Sequence, residues 1–312
     1  MGEGGYKQIN KALDVSYFED YLGAQQSKLP TLANVQQLSR RVIRVLGQNP
    51  GKFTLQGTNT YIVGTGSERL LVDTVQGFKE WADLVYTTLD EHGITLSHVL
   101  LTHWHGDHTG GVPDLIRLYP HLTQSIYKHS PTEGQRPLVD GEKVTVEGAT
   151  IRVVHGAGHS HDHVCFVLEE ENALFSGDNI LGHGSTAVEH LGDYLQTLRK
   201  LETGGFKTGY PGHGDLISKV GEKISRELTV KERREKTCLN ALGRLRDHNG
   251  RGGLSSASVK ELVVAMHGKH IEANVREKAL EPFTEEILRK LVDDGKVAFH
   301  LRAGVRRWFL ID

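Results

Sequence analysis

Apolar positions fall into two rhythms along this chain. Between Val42 and Thr74 they form short β-branched and aliphatic runs: Val42-Ile43-Arg44-Val45-Leu46, Thr60-Tyr61-Ile62-Val63 and Arg69-Leu70-Leu71-Val72-Asp73. Asn49-Pro50-Gly51, Gly57 and Gly64-Thr65-Gly66 break them, which predicts a strand meander. His98-Val99-Leu100-Leu101-Thr102 reads as a buried strand, and further strands are expected over 143–146, 150–154 and 164–168. Steps of three and four (Ile9, Leu13, Tyr17, Tyr21, Leu22) predict an amphipathic helix over 7–26. Helices are also expected over 78–92, 193–201 and 219–247.

Strands dominate the first and middle parts, with helices interleaved late, so two packed sheets with helices outside them are expected, a layered α/β arrangement. The Gly- and Ser-rich stretch 248–256 is the clearest linker. Beyond it come helices over 258–267 and 283–294. An alternating pair, 296–301 and 306–310, around Gly304 then reads as a hairpin. Helix, helix and hairpin resemble a winged-helix module. The expected division is a helical extension over 1–41, a catalytic domain over 42–218 and a C-terminal module over 219–312.

Composition adds limits. The 312 residues are 38% hydrophobic and 24% charged, which excludes wholesale disorder. No apolar run approaches the roughly 18 residues of a membrane span. Only Cys165 and Cys238 are present, too few for a disulfide framework, so a reducing, cytoplasmic compartment is expected. Residues 1–218 carry 17 Lys/Arg against 25 Asp/Glu, a net −8, whereas 219–312 carry 20 against 14, a net +6. An acidic body with a basic tail suggests an acidic partner.

Histidine changes the picture most. Of 18, ten lie between His98 and His163. Thr102-His103-Trp104-His105-Gly106-Asp107-His108 follows directly on the buried strand. On an extended segment, side chains two apart share a side, so His103 and His105 can reach one cation while Trp104 turns toward the core. Asp107 and His108, beyond Gly106, can present a second set of ligands. Three later candidates follow apolar or Gly/Pro-rich turns: His159 in Gly156-Ala157-Gly158-His159-Ser160, Asp178 in Phe175-Ser176-Gly177-Asp178, and His213 in Tyr210-Pro211-Gly212-His213-Gly214. His161 and His163 read as outer partners of such ligands, as do His155, His183 and His190.

Taken in order, these motifs resemble the metallo-β-lactamase superfamily over roughly Val42 to Gly214. The resemblance implies a four-layer αββα sandwich carrying the motifs at one edge. It implies that His103, His105 and His159 bind one divalent metal ion, that Asp107, His108 and His213 bind a second, and that Asp178 bridges them. Carboxylate and imidazole ligands suit Zn²⁺ first, with Mn²⁺ or Fe also fitting. Two adjacent cations acidify a water and polarise a scissile carbonyl or phosphoryl oxygen. Asp107 would orient that nucleophile and take up its proton. The lack of a Cys ligand favours the thioesterase, glyoxalase-II-like and nuclease branches.

A closer resemblance rests on Gly5-Tyr6-Lys7-Gln8-Ile9-Asn10-Lys11, on Phe18-Glu19-Asp20-Tyr21-Leu22-Gly23-Ala24-Gln25, on residues 49–61 (NPGKFTLQGTNTY) and on Ser176-Gly177-Asp178-Asn179-Ile180-Leu181-Gly182. These look like the fungal metallo-β-lactamase-type thioesterases of the atrochrysone carboxyl ACP thioesterase type. The family implies release of an aromatic polyketide as free acid from the acyl carrier protein of a non-reducing polyketide synthase. Much of the central pattern is shared with the beta-lactamase-like protein 2 family, single-strand endoribonucleases with a winged-helix-like tail. The N-terminal helix favours the thioesterase. A nuclease would expect a basic groove with stacking aromatics; here the flanks of His103–His108 are acidic or neutral, and aromatics total 7%. A non-catalytic docking subunit would be signalled by a missing ligand, and none is missing. Two stretches depart from the family pattern: the Asp73-Thr74-Val75-Gln76-Gly77 turn places its glycine late, and Thr186-Ala187-Val188-Glu189-His190-Leu191 replaces an expected Phe-Glu-Asp-Leu.

Overall fold

The computed structural model describes residues 26–248 and 256–311. Nearly all of the helix expected over 7–26, and most of the linker over 248–256, lie outside them. Two sheets face each other. The first contains, in spatial and chain order, β1 (Val35–Ser39), β2 (Val42–Leu46), β3 (Asn59–Val63), β4 (Glu68–Val72), β5 (Thr95–Leu101), β6 (Ile126–Lys128) and β7 (Arg136–Pro137). It is antiparallel as far as β4, where α1 (Lys79–His92) crosses over and makes the remaining pairs parallel. The second runs β12-β11-β10-β9-β8, with β8 Lys143–Val146, β9 Ala149–His155, β10 Val164–Leu168, β11 Ala173–Gly177 and β12 Thr208–Pro211. Its one parallel pair, β11 with β12, is joined through α4 (Leu191–Glu202).

Side-chain alternation divides the apolar runs between layers. Val42, Tyr61, Val63, Leu70, Val72 and Leu100 point toward the second sheet and meet Ile151, Val153, Val164, Phe166, Leu168 and Phe175. Their neighbours Ile43, Val45, Ile62, Leu71, Val99 and Leu101 point outward onto Trp81, Val85 and Leu89 of α1 and Leu115 of α3 (Val112–Leu118). On the far side, Cys165, Val167 and Leu174 pack under Leu195 and Leu198 of α4. Both faces of each sheet are buried, so the central strands read as continuous apolar runs rather than alternating ones. The result is the expected αββα sandwich.

The C-terminal segment extends the outer helical layer. α5 (Val220–His248), α6 (Val259–His267) and α7 (Glu281–Asp293) precede a hairpin of β13 (Val297–Arg302) and β14 (Val305–Leu310). A capping box of Ser258 and Glu261 starts α6. Leu262, Leu288, Val297 and Trp308 belong to the same buried cluster as Leu195 and Leu198, so the segment shares the sandwich core. Among the described residues, no helix is long and apolar enough to cross a membrane.

Candidate metal centre

The seven polar residues singled out above converge at the C-terminal ends of four strands. His103 and His105 lie just beyond β5, and Asp107 and His108 sit in the single turn α2 (Gly106–Thr109). His159 lies between β9 and β10, Asp178 follows β11, and His213 follows β12. The two sheet edges are fastened together here. Tyr61 donates from its hydroxyl to the Pro211 carbonyl at 2.6 Å, and the Asn59 amide donates to the carbonyls of Pro211 and Gly214.

Two sets form. In the first, His105 Nδ1 lies 2.9 Å from His103 Nε2 and 3.1 Å from His159 Nε2, and Asp178 joins them. In the second, His213 Nε2 lies 3.3 Å from His108 Nε2 and 3.2 Å from Asp107 Oδ2. Asp178 stands between the sets. Its Oδ1 is 3.4 Å from His108 Nε2, and its Oδ2 is 3.3 Å from His213 Nε2 and 3.6 Å from His159 Nε2. Gly212 makes this approach possible, since a Cβ there would fall 2.2 Å from Asp178 Oδ1.

The outer nitrogens decide what the inner ones offer. His108 Nδ1 faces Asp73 Oδ2 at 2.9 Å, His159 Nδ1 faces the Ala187 carbonyl at 2.8 Å, and His213 Nδ1 faces the Gly57 carbonyl at 3.5 Å. Each of these partners accepts, so each Nδ1 carries a hydrogen and each Nε2 is turned inward, where it offers a lone pair once the ring is neutral. Thr102 donates its hydroxyl to Asp73, leaving its oxygen to accept from His103 Nδ1 at 2.9 Å. His103 Nε2 is therefore a fourth inward lone pair. Asp178 Oδ1 is buried with no hydrogen-bond donor. The lone pairs of His103 and His159 both face His105 Nδ1, which can donate to only one of them, and Asp107 and Asp178 are held by protons on His108 and His213 that a cation would replace. The residues present thus fit a divalent metal pair.

Charge divides the two sets. Burial lowers the basicity of His103 far below its ordinary value and takes His105 down to about 4. At His213 burial acts downward too, but Asp178 and Asp107 outweigh it and push the ring up to about 9. His108 is likewise raised, by Asp178, Asp73 and Asp107 against burial. Burial would raise Asp107, yet His108 and His213 hold its carboxyl at about 2.

One sequence expectation needs correction. Trp104 is 37% exposed, its ring set edge-on to His105 at 4.5 Å, and it is not a core residue. β5 ends at Leu101, so strand alternation no longer governs where Trp104 points. Of the outer histidines, His163 is buried and accepts the Asp178 backbone N–H at 3.0 Å, whereas His161 is exposed beside Glu189. Sequence reading missed Asp73 and Thr102 as supports. The available signal was an acid closing the Arg69–Asp73 run, and its backbone φ of 58° places it in a turn that a non-glycine residue rarely adopts. It also missed the buried ion pair of Lys128 with Asp162, which ties the His159 loop to β6. The stretch 186–191 turns out to serve the centre: Thr186 Oγ1 lies 2.9 Å from His159 Nδ1.

A sequence profile of the Metallo-beta-lactamase superfamily matches residues 53–213, the span that holds all seven residues. The chain belongs to the metallo-β-lactamase superfamily. Among its relatives, Atrochrysone carboxyl ACP thioesterase AacuM of Aspergillus aculeatus is 63% identical over 100% of both chains. Atrochrysone carboxyl ACP thioesterase AgnL7 of Paecilomyces divaricatus is 60% identical over 100% of this chain and 99% of its own. A solved beta-lactamase domain protein from Burkholderia ambifaria superposes with a TM-score of 0.68 at 19% identity, covering 91% of this chain and 95% of that one, and so shares its fold. This metallo-β-lactamase-type chain is a hydrolase, and its His/Asp cluster is suited to divalent metal.

Proposed function

We propose that this hydrolase cleaves the thioester joining an aromatic polyketide of the atrochrysone carboxylate type to the acyl carrier protein of a non-reducing polyketide synthase, releasing the free acid. Full-length identity with named carrier-protein thioesterases carries the choice of substrate. The reaction belongs in the cytoplasm, where two free thiols such as Cys165 and Cys238 persist.

In this reading His103, His105 and His159 would hold one cation, Asp107, His108 and His213 would hold the other, and Asp178 would serve both sets. Zn²⁺ is the metal these ligand types suit best, with Mn²⁺ or Fe as alternatives. Two bound cations supply Lewis acidity toward the thioester carbonyl and lower the pKa of a nearby water. The protein's own part is orientation and proton handling. Asp107 is the most exposed of the seven residues, its side chain keeping 12% of its surface, and as a carboxylate open to solvent it can accept a hydrogen bond from water and then its proton. Thr102, Asp73 and the Thr186–Ala187 stretch keep the imidazoles from turning. The departing thiolate, with a parent pKa of ~8.5, needs little help from an acid.

The test is incubation of metal-loaded protein with a carrier-protein-bound aromatic polyketide and, separately, with single-stranded RNA. Release of the polyketide acid, stopped by chelation, is expected. Metal-dependent RNA cleavage without polyketide release would replace this function with a nuclease.

A further inference from the structure

Building on the carrier-protein reading, we infer that the outer end of the β13–β14 hairpin is the docking surface for the acidic carrier domain that delivers the thioester. In the hairpin register, Val297 pairs with Leu310, Phe299 with Trp308 and Leu301 with Arg306. These six residues share one face of the ribbon. That face starts inside the protein, where Val297 and Trp308 are buried, and runs outward past Phe299 at 45% exposure to Leu301 at 68%. Val305, 51% exposed, pairs with Arg302 beside the turn, and these two side chains belong to the opposite face of the ribbon. The ribbon is anchored from its other face: Arg307 pairs with Glu261 at 3.0 Å and donates to the Ser256 carbonyl. Apolar side chains are thus held out on a fixed support.

Its charge has one sign. Residues 296–311 contain Lys296, Arg302, Arg306 and Arg307 and no Asp or Glu. Arg306 lies over the Phe299 ring at 5.5 Å, and neither Arg306 nor Arg302 has an ion pair among the described residues. The module's net +6, set against −8 for the rest of the chain, steers an acidic partner to this end of the molecule. Exposed aliphatic side chains framed by arginines suit a protein surface with acidic and apolar positions. They suit a nucleic acid poorly: Leu301 and Val305 offer no ring for a base, and the one exposed ring among them, Phe299, is flanked by Arg306 and Trp308. The module also reaches the catalytic side, since Asp293 at the end of α7 lies 3.7 Å from His190, in the stretch that supports His159.

The experiment compares the full-length, metal-loaded protein with Leu301→Asp, Arg306→Glu and Arg302→Glu variants. Each is given one aromatic acyl group in two forms, on the holo carrier domain and on a short pantetheine thioester. A tenfold or greater rise in KM for the carrier-bound form is expected, with kcat and turnover of the short thioester unchanged. Equal losses on both substrates, or no change on the carrier-bound one, would overturn the docking surface while leaving the hydrolase intact. If wild type cleaves neither form, the thioesterase reading fails, and calorimetric titration of the carrier domain still judges the surface. Binding lost in the variants supports it and binding unchanged sinks it. Variants that split a dimer, or that lose single-stranded RNA while keeping the carrier domain, would reassign the patch and overturn the inference.

Discussion

Asp73 stands 2.9 Å from His108 Nδ1, and the same carboxylate receives both the backbone N–H and the hydroxyl of Thr102. That hydroxyl meets His103 Nδ1, so one acid orients an imidazole in each half of the centre. The carboxylate touches neither set of inward ligand atoms directly, and its effect is exerted through their tautomers. Asp73→Asn is expected to weaken metal binding by about 10–100-fold, the usual cost of losing such an outer partner. Metal content after chelator competition checks this. Asp73→Ala additionally leaves the buried Thr102 N–H without an acceptor and should cost about 1–3 kcal/mol, read as a lower Tm of the metal-free protein.

The tryptophans separate core from site. Trp81 is fully buried, with its indole N–H on Thr60 Oγ1 at 3.0 Å, whereas Trp104 borders solvent beside His105. Trp81→Ala should destabilise by about 3–5 kcal/mol, as expected for loss of a large buried ring. Trp104→Ala should cost no more than about 1 kcal/mol, since little of its area is replaced by a void. Urea unfolding of the two variants gives the comparison; equal losses would contradict the placement of Trp104.

The sandwich was legible because its strands are short apolar runs bounded by Gly, Pro and Asn, and because α1, α4 and α5 keep a helical period. β1, β6, β7 and β12 escaped, being short or polar, and β11 was read only as an apolar run before Asp178: Val35–Ser39 is only part-buried, Arg136–Pro137 is exposed, and Thr208–Pro211 has four residues. The candidate ligands were legible because each follows a strand end beside small residues. Their supports were not, because hydrogen bonds such as Asp73 with Thr102 join residues 29 apart, and no local spacing encodes them. Trp104 shows the limit of strand periodicity once a strand has stopped.

Protons and cations should compete for this centre. In the metal-free protein His213 is held up at about 9, above the ordinary ~6.5 of an unfolded histidine. Its contribution to stability is therefore complete below about pH 6.5 and is lost as pH rises through about 9. Metal-free Tm should fall across that window. Metal affinity should move the opposite way, strengthening with pH, because the cation displaces the protons on His213 and His108. Calorimetric titration of metal near pH 7.5, in buffers of differing ionisation enthalpy, should register net proton release. Metal uptake with no proton release would show that these rings are already neutral.

Asp107 differs from the other carboxylates at the centre in facing both a ring and the solvent side. Its Oδ2 lies 3.2 Å from His213 Nε2, and its side chain keeps 12% of its surface exposed, against 9% for Asp178 and 2% for Asp73. Asp107→Asn keeps a side-chain oxygen to face a cation but removes the charge and the capacity to take a proton. Loss of a general base typically costs 10²–10⁴-fold, so kcat for thioester hydrolysis should fall by at least about 10²-fold. Metal content should be largely retained, because His108, His213 and Asp178 remain around the second set. Turnover and elemental analysis on the same preparation separate the two effects. Full activity in this variant would remove Asp107 from the chemistry, and loss of metal in step with activity would make it a ligand alone.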